Sequence, residues 1–281
     1  MTTITESRPR GIGGAPRAEA SAWSTMSRVI EHRALQYRRT FRASIFSSFG
    51  IPALFLAAMG FGLGVYVDRS ADSVLAGVSY LQFLAPGLLA ATVMQTGSFE
   101  ASFPILNGLQ WSRTFHAMYA TSLRPRDVAL GNIAWIAARL TLVASIFAVV
   151  IVLFGASRSP LIVFAIPVAV LTGLAFATPI MAFTATQRRP DRFATIFRFG
   201  VTPLFLFSGT FFPIESLPSF LQPVAWLSPL WHGVVVSRAL MLGTIGDAPL
   251  LALIHVAVLV AIATGGALLA IRTIDARLEK G

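Results

Sequence analysis

Residues 44–67 read SIFSSFGIPALFLAAMGFGLGVYV, an apolar stretch that lies between Arg42 and Asp68 and contains no charged residue. A helix needs roughly 20 apolar residues to cross a bilayer, because the hydrocarbon layer is about 30 Å thick and each residue rises about 1.5 Å. The stretch therefore predicts a membrane-spanning helix. The whole chain shares this character, since 55% of its 281 residues are hydrophobic and only 12% are charged. Soluble domains carry about 25% charged residues, so the composition predicts an all-α integral membrane protein.

The gaps between charged residues mark further spans on the C-terminal side of this stretch. The six predicted spans cover about 44–66, 78–98, 128–154, 161–183, 196–212 and 248–271. The 22 residues between Glu215 and Arg238 are also uncharged, but prolines this dense break a helix repeatedly. These prolines are Pro218, Pro223 and Pro229. We predict outer re-entrant helices over 213–247 instead of a seventh span, with Trp226 and Trp231 at the interface, where amphipathic rings are favoured.

Basic residues divide unevenly between the two sides of these six spans. The side with more of them holds 18, on the segments 1–42, 99–127, 184–198 and 272–281. The other side holds only Arg69, Arg158 and Arg238. Because basic loops remain in the cytoplasm, both termini are predicted to be cytoplasmic. The transmembrane domain then covers 43–272 and is followed by a short cytoplasmic tail at 273–281. A disordered tail at 1–22 begins the chain, and residues 23–42 lie between that tail and the transmembrane domain.

Residues 23–42 predict an amphipathic helix that lies along the membrane surface. Apolar side chains recur there at steps of three and four residues, which places them on one helical face. That face comprises Trp23, Met26, Ile30, Ala34, Tyr37 and Phe41. Five arginines lie elsewhere on the helix and can reach anionic headgroups. The alternative is a plain basic anchor that only fixes the orientation.

The motifs of catalysis and nucleotide binding are missing from the sequence. A P-loop requires a lysine after its glycines, and the chain's only lysine is Lys280. With no cysteine and four scattered histidines, we predict no metal or cofactor site on this chain. The positive charge follows the predicted inner loops, which argues against nucleic acid as a partner. A membrane enzyme acting on lipid-linked substrates and an ion-coupled secondary transporter remain the alternative functions.

Arg139 is the one charge predicted to lie deep within a span. A charged side chain at the bilayer centre costs at least roughly 2.5–3.5 kcal/mol unless it is paired or hydrated. One interpretation places Arg139 on the substrate pathway or at a dimer seam. The other is that its side chain reaches back to the interface from a helix that starts below the membrane.

Three stretches carry a family resemblance. ATSLRPRDVALGN (Ala120–Asn132) resembles a cytoplasmic loop of ABC-2 type export permeases. PLFLFSGTFFPIESLPSFLQPVAWLSPLWHGVVVSRAL (Pro203–Leu240) resembles their fifth span and outer helices, and YLQFLAPGLLAATVMQ (Tyr80–Gln95) resembles their second span. The similarity is greatest to the lipo-oligosaccharide (nodulation-factor) and daunorubicin-type exporters. One departure is Ser122, which stands where the family usually has proline.

The resemblance implies a permease of the bacterial cytoplasmic membrane that exports an amphipathic substrate, either a drug- or antibiotic-like molecule or a lipid-linked saccharide. It implies two permease subunits, identical or paralogous, and two cytoplasmic ABC ATPase subunits that bind ATP and Mg. Membrane lipids would be further partners. The interfacial helix at 23–42 and the loop at 99–127 would contact the ATPase.

The resemblance also assigns roles to particular residues. A short helix in the loop would couple to the ATPase through Phe115, His116, Met118, Tyr119, Leu123, Arg124, Arg126 and Asp127. Phe115, Met118 and Tyr119 have the spacing of one apolar ridge, and Asp127 is placed to cap the third span. The exit gate would involve Ser208, Gly209, Phe211, Phe212, Trp226 and Trp231. Arg139 is the pathway candidate because of its charge within a span, not because of the resemblance.

Overall fold

The computed structural model describes residues 27, 29–35, 37–38, 50, 53–69, 77–120 and 124–280. In that part of the chain every regular element is helical and no strand occurs, which confirms the all-α prediction. The helices, in chain order, are α1 (described residues from 27 to 38), α2 (53–69), α3 (Tyr80–Leu106), α4 (Thr114–Tyr119), α5 (Pro125–Leu153), α6 (Ile162–Thr186), α7 (191–207), α8 (Gln222–Leu227), α9 (Pro229–Leu242) and α10 (Pro249–Lys280). The segment Asn107–Trp111 continues α3 as a π-helix.

Three of these helices are long and apolar enough to cross a membrane: Pro125–Leu153, Ile162–Thr186 and Pro249–Glu279. They coincide with the spans predicted at 128–154, 161–183 and 248–271. Helix α3 matches the predicted span at 78–98 and is 27 residues long, but glutamines and small residues make it more polar. Most of α3 is buried inside the bundle, where such residues are acceptable.

Three predicted boundaries differ from the structure. The second span was predicted to end at about 98, but α3 runs on to Leu106. The span predicted at 196–212 is a helix from 191 to 207 that ends because Gly209 adopts a left-handed backbone with φ +74°, a conformation that glycine tolerates best. The predicted C-terminal tail at 273–281 is helical up to Lys280, because Ile274 and Leu278 are buried and extend the packed face of α10.

Helix α6 lies at the centre of the bundle and packs against α3, α5, α9 and α10. Small residues allow these close approaches, as is common between helices in membranes. A Cβ atom added to Gly97 of α3 would lie 2.8 Å from the carbonyl oxygen of Gly173 of α6. On the other side of α6, the hydroxyl of Thr178 donates a hydrogen bond to the carbonyl of Ala263 in α10 (2.9 Å).

The outer surfaces of the long helices expose large apolar side chains. Examples are Leu153, Val163, Phe164, Leu250 and Leu253. Exposed apolar area of this extent is unfavourable in water and suits contact with lipid tails. The region predicted to be re-entrant contains two helices, α8 and α9, separated at Ser228. Helix α9 has 14 residues and is about 21 Å long, which is too short to cross the bilayer.

Candidate functional site

The predicted site residues lie at two opposite ends of the bundle. The end that carries α1 and α4 is named the α4 end, and the end that carries α8 is named the α8 end. Trp23, Met26, Phe41 and Leu123 lie outside the described residues.

Helix α1 is fixed to the α4 end by Val29, Arg33 and Tyr37, which are spaced four residues apart. Val29 is buried against Gly131, where an added Cβ would lie 2.6 Å from the Cβ of Val29. Arg33 donates from Nε and Nη2 to Oδ1 of Asn132, at 2.9 and 2.7 Å. Its guanidinium also lies 5.7 Å from the ring centroid of Phe115. Arg33 therefore ties α1 to both α4 and α5.

This contact face was only partly predicted. Tyr37 and Ile30 belong to the predicted apolar stripe and are half-buried, and Tyr37 meets the ring of Trp135 edge-on at 5.9 Å. Val29 and Arg33 were not predicted, because the stripe was chosen by apolarity and Arg33 is charged. Burial lowers the pKa of the Arg33 guanidinium, and the nearby charge of Glu100 partly offsets this effect.

Arg139 forms an ion pair with Glu100 of α3, an arrangement that neither interpretation of the sequence included. Nε of Arg139 lies 2.9 Å from Oε1 of Glu100, in close contact rather than in an aligned hydrogen bond, and their side chains are 14% and 12% exposed. The guanidinium carbon of Arg139 also lies 4.3 Å from the ring centroid of Tyr37. The charge inside α5 is therefore paired within the chain and covered by α1.

Helix α4 presents only part of its predicted ridge to the outside. Phe115 is buried, and its ring occupies the space beside Gly108, where an added Cβ would meet Cε1 of the ring. Met118 is half-buried against the core, whereas Tyr119 is 39% exposed. Phe115 therefore anchors α4 to the bundle and cannot itself meet a partner, which corrects the expectation that it makes direct contact. Residues of one ridge share a face, but the sequence could not show which way that face points.

Asp127 has the capping geometry that its position predicted. Its Oδ2 accepts a hydrogen bond from the backbone N–H of Arg124 (3.2 Å) at the start of α5, where a carboxylate also suits the helix dipole. Asp127 is buried, whereas the predicted coupling residues Arg124 and Arg126 are exposed. His116 is half-buried. Of the predicted coupling residues that the structure describes, those that a partner can reach at the α4 end are thus His116, Met118, Tyr119, Arg124 and Arg126.

At the α8 end, a buried turn follows α7. Ser208 donates from its hydroxyl to the hydroxyl oxygen of Ser228 (2.8 Å), and both side chains are buried. Nη2 of Arg238 donates to the carbonyl of Gly209 (2.8 Å), and the same nitrogen and Nε donate to the carbonyl of Phe83 (3.2 and 3.3 Å). The turn is thereby held between α3 and α9.

Arg238 was counted among the charges on the outer side, and the structure places it within α9, where it bonds to backbone carbonyls. Its guanidinium is buried over the ring of Phe83, with 3.8 Å between the guanidinium carbon and the ring centroid. The carbonyls of Phe83 and Gly209 accept its hydrogen bonds in place of water. A count of charges on each side assumes that every arginine is hydrated in a loop. It therefore could not predict an arginine whose hydrogen bonds are accepted by backbone carbonyls.

The aromatic residues assigned to the gate lie around this turn. Phe211 meets Phe205 and Phe55 edge-on, with centroid distances of 5.0 and 6.0 Å. Phe212 and Trp231 pack on a small apolar cluster formed by Ile214, Leu217 and Ala225. Trp226 is 48% exposed, which is compatible with a position at an interface.

A histidine pair joins α9 to α10 nearby. The Nδ1 atoms of His232 and His255 are 2.6 Å apart, so one must donate to the other. Neither hydropathy nor helical periodicity predicted this pairing. Among the described residues, no group of three or more metal-ligating side chains could hold a metal ion.

The comparison with known proteins covers the segments that form both ends of the bundle. The family model described as ABC-2 type transporter matches residues 27–242, from α1 through α9. The chain belongs to the ABC-2 type transporter family. It is 34% identical to Nodulation protein J of Rhizobium leguminosarum bv. viciae over 209 residues, which cover 74% of this chain and 79% of that protein.

Two further relatives extend the comparison. Nodulation protein J of Rhizobium meliloti (strain 1021) is 32% identical over 225 residues, covering 80% of this chain and 84% of that protein. The inner membrane transport permease YadH of Escherichia coli (strain K12) is 25% identical over 174 residues, covering 62% of this chain and 67% of that protein. The resemblance on which the sequence analysis relied is confirmed. As an ABC-2 family member the chain is a multi-pass membrane protein and a transport subunit, not an enzyme, and the family implies an ABC ATPase partner.

Proposed function

We propose that this chain is the membrane-spanning permease of an ATP-driven exporter of the bacterial cytoplasmic membrane. The observation that carries this proposal is the family match, which includes the buried turn at the α8 end and the attached α1 and α4 at the other end. Two permease subunits, identical or paralogous, assemble with two cytoplasmic ATPase subunits that bind ATP and Mg. The substrate is amphipathic, either a drug- or antibiotic-like molecule or a lipid-linked saccharide.

Reconstitution tests this function directly. We expect vesicles that contain the chain and its cognate ATPase to move a fluorescent amphipathic probe only when ATP is supplied. An ATPase variant that cannot hydrolyse ATP is the control and should leave the probe in place. Turnover of a lipid-linked substrate by the purified chain without ATP would favour a membrane enzyme, and uptake driven by an ion gradient would favour a secondary transporter.

The proposed topology has six spans with both termini in the cytoplasm. The spans contain α2, α3, α5, α6, α7 and α10, and α8 and α9 form the outer re-entrant region. This arrangement places 18 basic residues inside, as the positive-inside rule favours. Because Arg238 lies in α9 and bonds to backbone carbonyls, Arg69 at the end of α2 and Arg158 remain as the other basic residues on the outer side.

Labelling of single cysteines should reveal this topology, since the chain has no cysteine of its own. Ser216 and Thr244 are exposed at the α8 end, and Ser21 lies in the predicted cytoplasmic tail. We expect a membrane-impermeant thiol reagent applied to intact cells to label Ser216→Cys and Thr244→Cys and to leave Ser21→Cys unlabelled. Labelling of Ser21→Cys from outside would contradict the topology. The topology would also be contradicted if the reagent labelled neither Ser216→Cys nor Thr244→Cys, both with the native protein and after the protein is unfolded in the membrane.

The turn at Gly209 should control substrate exit. Leucine at this position would adopt a left-handed backbone that costs about 1–2 kcal/mol, and its Cβ would lie 3.3 Å from Cγ1 of Ile214. We expect Gly209→Leu to reduce export about tenfold, because the strained turn can no longer keep its contacts with Arg238 and Ser228. Assembly with the ATPase at the opposite end should be unchanged.

Gly155 provides the matched control for this variant. It also has a positive φ, of +65°, but an added Cβ would meet no atom within 4 Å. Gly155→Leu therefore introduces the same backbone strain without disturbing the turn, and export should remain near the parental rate. Equal export by the Gly209 and Gly155 variants would remove the gate assignment.

A further inference from the structure

A basic cavity of about 570 Å³ lies at the α4 end, between α4 and the ends of α6 and α10. Four basic side chains line it: Arg113, His116, Arg188 and Arg277. Leu109, Ala185 and Ala276 supply apolar wall. The cavity thus combines a cluster of positive charge with a small apolar surface.

Among the described residues, no carboxylate lines this cavity. The guanidinium of Arg277 instead bonds to neutral oxygens, with 2.9 Å from Nη2 to Oε1 of Gln110 and 3.4 Å from Nη1 to the carbonyl of Ala185. The two salt bridges in the described part of the chain, Arg126–Asp127 and Arg139–Glu100, involve none of the four basic residues.

The basic groups that line the cavity also repel one another electrostatically. Burial lowers the pKa of the His116 imidazole, and the charges of Arg113 and Arg277 lower it further. Arg188 and Arg277 repel each other in the same way. Nδ1 of His116 is buried, and no hydrogen-bond partner for it occurs among the described residues. A bound anion would relieve this repulsion and accept hydrogen bonds.

The depth of the cavity suits a lipid headgroup, given the cytoplasmic orientation proposed above. Arg188 and Arg277 lie beyond the predicted span ends at 183 and 271, by distances of at most about 9 Å along the helices. The headgroup layer on each side of the hydrocarbon is about 5–8 Å thick. Basic pockets between transmembrane helices on the cytoplasmic side are known to bind anionic headgroups.

We propose that this cavity binds the phosphate group of an anionic phospholipid from the inner leaflet. The arginines hold the phosphate, and the apolar wall accepts the adjoining part of the lipid. Such a lipid would bridge α4 to α6 and α10 and stabilise the α4 end. Free inorganic phosphate offers the same charged group without the apolar part, so the two sources can be separated by experiment.

Binding is tested on the purified full-length chain in neutral detergent, without ATPase or transport substrate. The probes are phosphatidylglycerol, phosphatidylcholine and inorganic phosphate, and native mass spectrometry and thermal unfolding detect binding. Each arginine near an anionic headgroup contributes about fivefold in affinity. We therefore expect Arg188→Gln with Arg277→Gln to weaken phosphatidylglycerol binding about 25-fold, and Arg188→Gln alone to weaken it about fivefold.

The matched control is Arg189→Gln with Arg272→Gln, which removes two exposed arginines from the same two segments but outside the cavity. Its affinity for phosphatidylglycerol should stay within about twofold of the parent. If the double variant does not fold, the single Arg188→Gln variant decides, because its side chain is exposed.

Three results would overturn the proposal. The first is equal loss of phosphatidylglycerol binding in the cavity and control variants, or no loss in either. The second is stabilisation by inorganic phosphate or phosphatidylcholine equal to that by phosphatidylglycerol. The third is loss of ATPase binding by the cavity variants with lipid binding unchanged, which would assign the arginines to acidic groups of the ATPase.

Discussion

Replacing Met118 and Tyr119 together by alanine is expected to weaken recruitment of the ATPase and to abolish substrate-stimulated ATP hydrolysis. Tyr119 is exposed on α4, whereas Met118 is half-buried beside it. Tyrosines are frequent hot spots at protein interfaces, and truncating a hot spot costs about 2 kcal/mol or more. A loss of this size weakens the complex about 30-fold. Co-purification with the tagged ATPase measures recruitment, and substrate-stimulated ATP hydrolysis measures coupling.

A control for this double variant is Phe220→Ala. Phe220 is 74% exposed at the opposite, α8 end of the bundle, so its truncation removes an exposed aromatic ring without touching the coupling surface. We expect this variant to bind the ATPase as the parent does. If the Met118/Tyr119 double variant also co-purifies normally with the ATPase and transports at the parental rate, the coupling helix lies elsewhere. The arginine-rich segment 184–195 is then the next candidate.

Phe115→Ala should behave differently from the Met118/Tyr119 double variant and from Phe220→Ala, because the buried ring of Phe115 packs against other residues of the same chain. Removing a fully buried phenylalanine costs about 3–5 kcal/mol. Thermal unfolding of the purified chain should therefore detect Phe115→Ala without any partner, whereas Tyr119→Ala should leave the unfolding temperature near the parental value. A Phe115→Ala variant with normal stability would contradict the anchoring role of this residue.

The long apolar helices were predictable because hydropathy depends on composition within one segment. Three predicted spans coincide with α5, α6 and α10. Helix ends were harder to predict, since they depend on single backbone conformations. Helix α7 ends at 207 because the chain turns at Gly209, and the sequence shows a glycine there without showing its φ.

The charged contacts between helices were not predictable from the sequence. Glu100 pairs with Arg139, and Arg33 acts electrostatically on Glu100, although the three residues belong to different predicted segments. Arg238 was assigned to a loop, yet it binds carbonyls of Phe83 and Gly209. Each of these contacts joins residues that are distant in sequence, so hydropathy and helical periodicity carry no information about them.

The ion pair between Arg139 and Glu100 leads to a prediction about stability. Removing one partner of a buried ion pair leaves the other charge uncompensated and costs about 3–5 kcal/mol. Arg33 still acts electrostatically on Glu100 when Arg139 is absent. We therefore expect Arg139→Met to lower the free energy of unfolding by about 3 kcal/mol, the lower end of that range. Chemical unfolding of the purified chain in detergent measures the change.

Two further variants separate the ion pair from other effects of the substitution. Glu100→Gln combined with Arg139→Met removes both charges and should recover much of the loss, because no unpaired charge remains buried. Arg126→Met is the matched control, since Arg126 is 56% exposed and lies 3.9 Å from Asp127, and exposed pairs contribute about 1 kcal/mol or less. If Arg139→Met is no more destabilising than Arg126→Met, the pair does not stabilise the fold. Arg139 is then assigned to the substrate pathway. In that case Arg139→Met should reduce the transport rate and leave the free energy of unfolding unchanged.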